Sequence, residues 1–319
     1  MPGVLEIVEA AYRVEQPEDS WLRGVLRAAR PYLDRGGGVE GYFVDCAEGF
    51  RAWGRVNLDV AHPWLWDDYL VAVPDAEKRR VHTFAPAGYS ASIPQGLAGV
   101  EGWLSRHHLR GIMGVNAIDA GLRGASLVAH DGEGGSAPPT RAALRRWEYL
   151  GSHIAAGARL LRRGSEGAAQ EAVLTPGGRV LHAEGLARAP VAREALREAA
   201  RAIDRSRVRE ARGGAGDDAL TAWAALVAGR WTLLDAFERD GRRFVVARPN
   251  APRGLAPAPL SERERQVARA AALGHSNKLI AYELGLGVST VATLLARARR
   301  KLGATGRVDL VRRVRETMP

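Results

Sequence analysis

Four side chains near the C-terminus, Thr290, Thr293, Arg297 and Arg300, recur at intervals of three, four and three residues. That spacing puts them on one face of an α-helix. Two hydroxyls followed by two guanidinium groups can hydrogen-bond to base edges at the start of such a helix and grip phosphates further along. Local charge agrees. From Leu260 to Pro319 there are twelve Lys and Arg against five Asp and Glu, so seven of the net ten positive charges fall in the last 60 residues. A localised excess favours a polyanion, because neutralising phosphates releases condensed counterions.

Several helices must hold that face. Val291, Leu295, Ala298 and Leu302 repeat on a different side of the same stretch, about Ser289 to Leu302, and form its core-facing stripe. Upstream, Ser261 and Glu264 have the spacing of a capping box for a helix running to about Leu273, where Gly274 supplies the positive φ that ends it. A second helix is expected after Ser276, with Leu279, Ile280 and Leu284 inward. The run Gly285-Leu-Gly287 makes a tight turn with Leu286 in the core. Capped helix, short helix, glycine turn and basic helix are the parts of a helix-turn-helix, with the third helix fitted to a major groove.

These residues resemble the LuxR family. Leu260-Ser-Glu-Arg-Glu264 matches its opening and Gly274-His-Ser-Asn-Lys278 its central motif. Ile280, Ala281, Leu284, Thr290, Val291, Lys301, Leu302 and Arg307 fall in register. The resemblance covers only this module. It implies that Asn277, Lys278, Thr290, Val291, Arg297, Arg300 and Lys301 lie near double-stranded DNA, to which the helical spacing adds Thr293, and that Asp309, Leu310, Arg313 and Val314 on a fourth helix face a second subunit. The chain departs from the family at Ala292 and Leu294, where Lys and His are usual, and at Gly287, where a capping Ser is usual and Ser289 is the substitute. Losing a Lys weakens phosphate attraction, so a consensus LuxR site is not the expected target.

The remaining 259 residues are enough for two more domains. Ala251 to Pro259 carries three prolines and reads as a linker, and a second break is expected near residues 163–167. The first part opens with two helical stripes and continues through strand-like runs at Gly41–Val44, Leu70–Val73 and Gly124–Ala129. It ends in a long helix from about Thr140 to Leu161. That α+β order resembles a GAF domain. The second part has a hairpin at Ala172–His182 around Pro176-Gly-Gly178, helices near Val191–Arg205 and Asp217–Val227, and a closing hairpin at Arg230–Asp235 and Arg243–Arg248 around Asp240-Gly241. It resembles a reduced PAS domain. No long internal repeat is visible.

Six of the eight tryptophans precede residue 150. Among the aromatic residues there, Trp53, Trp64, Trp66, Tyr69 and Trp103 are the candidates for a ligand pocket, beside the plainer expectation that they are core. A phosphorylated receiver domain does not fit the mixed order of elements. An autoinducer-binding domain does not fit the spacing in the run from His62 to Tyr69, where Tyr69 stands five after Trp64 and three after Trp66. Cys46 is the only cysteine, and neither Cys nor His shows a metal-ligand spacing. No nucleophile elbow, phosphate-cradling loop or carboxylate pair points to an enzyme. No apolar run approaches the roughly 20 residues of a membrane span, and Glu6 and Glu9 stand where a signal peptide is apolar, so a cytoplasmic protein is expected.

The sequence thus predicts an α+β chain in three parts: a GAF-like sensor domain (1–165), a smaller PAS-like domain (166–249), then, after a linker (250–259), an all-α four-helix LuxR-type helix-turn-helix domain (260–319). The expected function is transcription regulation by a homodimer on double-stranded DNA, governed by a small-molecule or protein signal at the N-terminal domains, with no cofactor and no membrane. The alternative is a protein-interaction or dimerisation module with weakened DNA readout, which Leu294 on a formerly polar face would favour.

Overall fold

The computed structural model describes residues 3–90, 96–109, 111–119, 121–133, 135–162, 171–213, 216–227, 230–239, 242–250, 260–302 and 304–317. The expected break at 163–167, the turn at Asp240-Gly241 and the linker from Ala251 to Pro259 lie outside the described residues. The chain divides into two compact units. One is built on residues 7–162 and the other on 163–272 and 276–318.

The first unit opens with α1 (Leu5–Ala11) and α2 (Glu18–Leu33), then β1 (Gly36–Asp45), β2 (Arg51–Leu58), α3 (Leu65–Ala72), α4 (Asp75–Phe84), β3 (Ala87–Tyr89), α5 (Ala98–Arg106), β4 (Ile112–Ile118), β5 (Arg123–Asp131) and α6 (Arg141–Arg162). The strands form an antiparallel sheet in the order β2-β1-β5-β4-β3. Strand side chains alternate between its faces. Phe43 of β1 stacks on Trp21 of α2 at 5.7 Å, and Val115 of β4 lies beside Gly151 of α6, so these two long helices cover one face. Tyr42 of β1 packs at 4.0 Å on Trp66 of α3 on the other face, where α3, α4 and α5 sit.

Leu70–Val73, expected as a strand, belongs to α3 and its C-terminal cap. A four-residue apolar run has no period of its own. Its helical partners lie just upstream, where Leu65, Trp66 and Tyr69 form the buried face. The long helix expected from Thr140 to Leu161 is α6, shifted by one residue.

Two histidines of this unit are fully enclosed. Burial pushes His82 down to about 4, and His153, beside the Tyr12 hydroxyl at 2.7 Å, down to about 3. Both are neutral in the fold, whereas the unfolded chain protonates them near the ordinary value of 6.5. Their contribution to stability is intact above pH 6.5 and is lost as the pH falls toward 4 and then 3, at about 1.4 kcal/mol per pKa unit. The thermal unfolding midpoint of the first unit is therefore expected to drop between pH 7 and pH 5. A midpoint that stays flat over that interval contradicts the burial of the two rings.

The second unit contains β6 (Ala172–Leu174), β7 (Val180–Ala183), α7 (Pro190–Ala211), α8 (Gly216–Ala222), β8 (Leu226–Val227), β9 (Trp231–Arg239) and β10 (Arg242–Pro249), followed by α9 (Glu262–Ala272), α10 (Asn277–Leu284), α11 (Val288–Lys301) and α12 (Arg307–Thr317). The first hairpin turns where Pro176-Gly-Gly178 places it, with Gly178 at φ +84°. The helix expected over Asp217–Val227 stops at Ala222, because Leu226 and Val227 pair with Thr232 and Trp231 instead. Its sheet has the order β7-β6-β10-β9-β8. Counted from its own first strand, each sheet therefore runs 2-1-5-4-3, a shared connectivity that no sequence repeat announces.

Candidate nucleic-acid interface

The four C-terminal helices close around one small core. Val267, Ala268, Ala271, Ile280, Val291 and Ala298 are buried together there. At the entrance to α9 the capping box is complete: the Ser261 backbone N–H donates to Glu264 Oε2 at 2.7 Å, and the Glu264 N–H donates to Ser261 Oγ at 3.3 Å. Glu264 is only 3% exposed and also accepts from Lys301 Nζ at 2.7 Å, which ties the end of α11 back to the start of α9. Desolvation raises the Glu264 pKa, but the bonds from Lys301 and Ser261 outweigh it and hold the carboxyl below its usual range. Glu264→Ala is expected to cost about 1–2 kcal/mol, nearly all from the lost cap, since the Lys301 end of the ion pair is 38% exposed and screened. Glu264→Gln, which keeps an acceptor, is expected to cost less. Thermal unfolding of the two variants checks this order, and equal midpoints for Ala and wild type contradict it.

Ser276 caps α10 by accepting from the Leu279 N–H at 3.2 Å. Gly285 ends that helix at φ +58° and ψ +45°, a left-handed conformation that costs a glycine nothing and a side chain much. Across the three residues that follow α10, the helix direction turns by 106°. That lies within the roughly 90–120° of a helix-turn-helix. Gly287 takes the N-cap position of α11 without a side-chain cap, so Ser289 does not substitute for the missing Ser.

Thr290, Thr293, Arg297 and Arg300 all stand on the exposed side of α11, and Lys278 is exposed at the start of α10. Thr293 already donates its hydroxyl hydrogen to Ser289 O at 3.0 Å, so toward a base it is an acceptor. The other predicted residues are placed differently. Asn277 Oδ1 accepts from Arg307 Nη1 at 2.6 Å, a link between α10 and α12. Lys301 is engaged with Glu264. Val291, which the resemblance placed near DNA, is 0% exposed and belongs wholly to the core. Leu294 is half-buried against that core.

The residues expected at a dimer contact are spent inside the module. Leu310 and Val314 are each 1% exposed and pack with Ile280 and Val291, four residues apart on the inner stripe of α12. Asp309 accepts from the Thr305 N–H and from Arg312 and Arg313, which hold its pKa well below the usual carboxylate range, and Arg313 also donates to Leu302 O. The outer side of α12 shows Val308 instead, at 85% exposure.

In the first unit, three of the five aromatic candidates come together. Trp66, Tyr69 and Trp103 line one cavity, with Tyr69 and Trp103 edge to face at 5.1 Å. Trp53 is on the opposite sheet face, stacked on Phe43 and donating to Glu18 at 3.0 Å. Trp64 is 54% exposed beside His107. Reasoning from the sequence missed the cavity residues supplied by strands, Glu40, Tyr42, Gly88, Gly114 and His130. The signal available was the alternation along β1 and β5, which puts Glu40 with Tyr42 and Val128 with His130 on one face.

Among the described residues no single helix is long and apolar enough to cross a membrane. Comparison with curated proteins finds no match for the chain. Residues 258–314 match the model of a family described as bacterial regulatory proteins, luxR family, and the chain therefore carries a LuxR-type DNA-binding domain, that of a transcription regulator.

Proposed function

We propose that the chain is a sequence-specific transcription regulator that binds double-stranded DNA as a homodimer and is controlled by its N-terminal sensor domains. The observation that carries this reading is the exposed face of α11, where two threonines lead and two arginines follow, held 106° from α10 by a left-handed glycine. In the proposed complex Thr290 and Thr293 meet base edges, while Arg297, Arg300 and Lys278 contact phosphates. Lys301 and Asn277 act by positioning α11 and α10 through Glu264 and Arg307. Ala292, exposed where the family has Lys, removes one phosphate contact. A two-fold site calls for a two-fold protein. With Leu310 and Val314 inside the module, Val308 is the exposed apolar residue that α12 offers to a second copy.

The sensor reading keeps the divisions 1–165, 166–249, 250–259 and 260–319. It is supported by two antiparallel sheets of the same 2-1-5-4-3 connectivity, each with a long helix packed in its unit, a layout consistent with GAF-like and PAS-like domains. A signal that changes their packing shifts the population of the DNA-competent state. The test is fluorescence anisotropy of an arbitrary duplex titrated with the full chain at rising salt. Binding that weakens linearly on a log–log plot supports the reading. No binding at low salt refutes it.

A further inference from the structure

Between the second face of the first sheet and helices α3 to α5 lies a cavity of about 170 Å³. Its floor is bare backbone. Gly88 of β3 and Gly114 of β4 are cross-strand partners, and a Cβ built on either meets nothing within 4 Å. Glycine inside a strand weakens a sheet and often marks a place where a ligand or another backbone approaches closely. The other walls mix aromatic and aliphatic side chains, with Trp66, Tyr69 and Trp103 from the helices, Tyr42 from β1, and Leu104, Ile112 and Val128 between them. A cavity of roughly 150 Å³ with apolar walls is enough to admit benzene.

Two polar groups of this lining stand without a partner among the described residues, the buried Trp103 indole N–H, a donor, and one ring nitrogen of His130. His130 Nε2 donates to Glu40 Oε1 at 3.1 Å, and the other Glu40 oxygen is paired with Arg55 at 2.7 Å. In the neutral imidazole this leaves Nδ1 as an acceptor, and among the described residues it has no partner. By contrast, Asn116 donates to Val81 O and Ala85 O and accepts from Ser126, while the Tyr42 hydroxyl donates to His82 Nε2 at 2.8 Å. Arg55 already matches the Glu40 carboxylate, so a cationic ligand would bring an unmatched charge. An anionic ligand would meet the carboxylate itself.

We infer that this cavity is a binding site for a neutral, planar aromatic molecule of one or two rings that carries an O–H or N–H donor, its ring lying on the Gly88–Gly114 backbone and its donor bonded to His130 Nδ1. This deepens the sensor reading, and the binding step is measured without DNA, so a chain that fails to bind duplex leaves the result interpretable.

The experiment is calorimetric titration of the full chain with four probes: phenol, indole, 1-methylindole and benzoate. Saturable binding of phenol and indole is expected, with 1-methylindole, which lacks the donor, and benzoate at least about tenfold weaker. Gly114→Leu, which fills the slot, should abolish binding of both. In case that variant does not fold, the wild-type chain with ¹⁵N-labelled tryptophan gives a second readout: the indole signals of Trp66 and Trp103 shift on adding phenol, and that of Trp223 in the other unit does not. Absence of phenol and indole binding overturns the inference. So does undiminished binding by folded Gly114→Leu, or benzoate binding as tight as phenol.

Discussion

Reversing two charges on α11, with Arg297→Glu and Arg300→Glu together, is expected to lower duplex affinity at least about 100-fold at physiological salt. Each arginine stands exposed on the face that also carries Thr290 and Thr293, and in the proposed complex each makes a charge-assisted bond to a phosphate. Such bonds contribute about 1.5–3 kcal/mol apiece, so losing both amounts to roughly 3 kcal/mol or more before the added repulsion is counted. The slope of log affinity against log salt is expected to fall by about 2, close to one unit for each lost phosphate contact. Surface substitutions away from structural contacts rarely change stability by more than about 0.5 kcal/mol, so the unfolding midpoint should hold. Unchanged duplex affinity at low salt would remove α11 from the DNA interface.

Ile280→Ala is expected to unfold the C-terminal module while the sheets stay folded. Ile280 is fully buried in α10 and packs with Val267, Val291 and Leu310 from the other three helices. Removing most of a buried isoleucine costs about 2–5 kcal/mol through lost burial and the cavity left behind. A module of some 60 residues rarely holds more than about 3–5 kcal/mol in total. Thermal unfolding should show a separate early transition, and duplex binding at 37 °C should be lost. If the variant keeps both a single wild-type transition and its affinity, Ile280 is not the keystone of that core.

The C-terminal module was readable because its signals are local. Ser261 with Glu264, Gly274, Ser276 and Gly285 each act within four residues of their own position, and caps of that reach survive in a linear sequence. Along α11 and α12, resemblance and hydrophobic period point to different faces, and the period decides. Val291 and Leu294 lie on the side of α11 that faces the core, as their spacing from Leu295 and Ala298 requires. Leu310 and Val314, four apart, are likewise an inner stripe and not a contact surface. The two sheets were less readable. β1 pairs with β5 across some 80 residues, and no short stretch of either strand encodes that partnership. The cavity was half visible. Trp66 and Tyr69 share a helical face, whereas strand alternation turns Trp53 to the α2 side of the sheet. Gly88 and Gly114 read as punctuation in the sequence, and only pairing reveals them as one flat floor.

The measurement that bears most directly on this account is selection of bound duplexes from a random library by the full chain at physiological salt. Enrichment is expected of a two-fold motif whose half-sites are about one helical turn apart, roughly 10 base pairs, and whose bases differ from a consensus LuxR site because Ala292 replaces Lys. Recovery of no motif from a chain that is folded would contradict it.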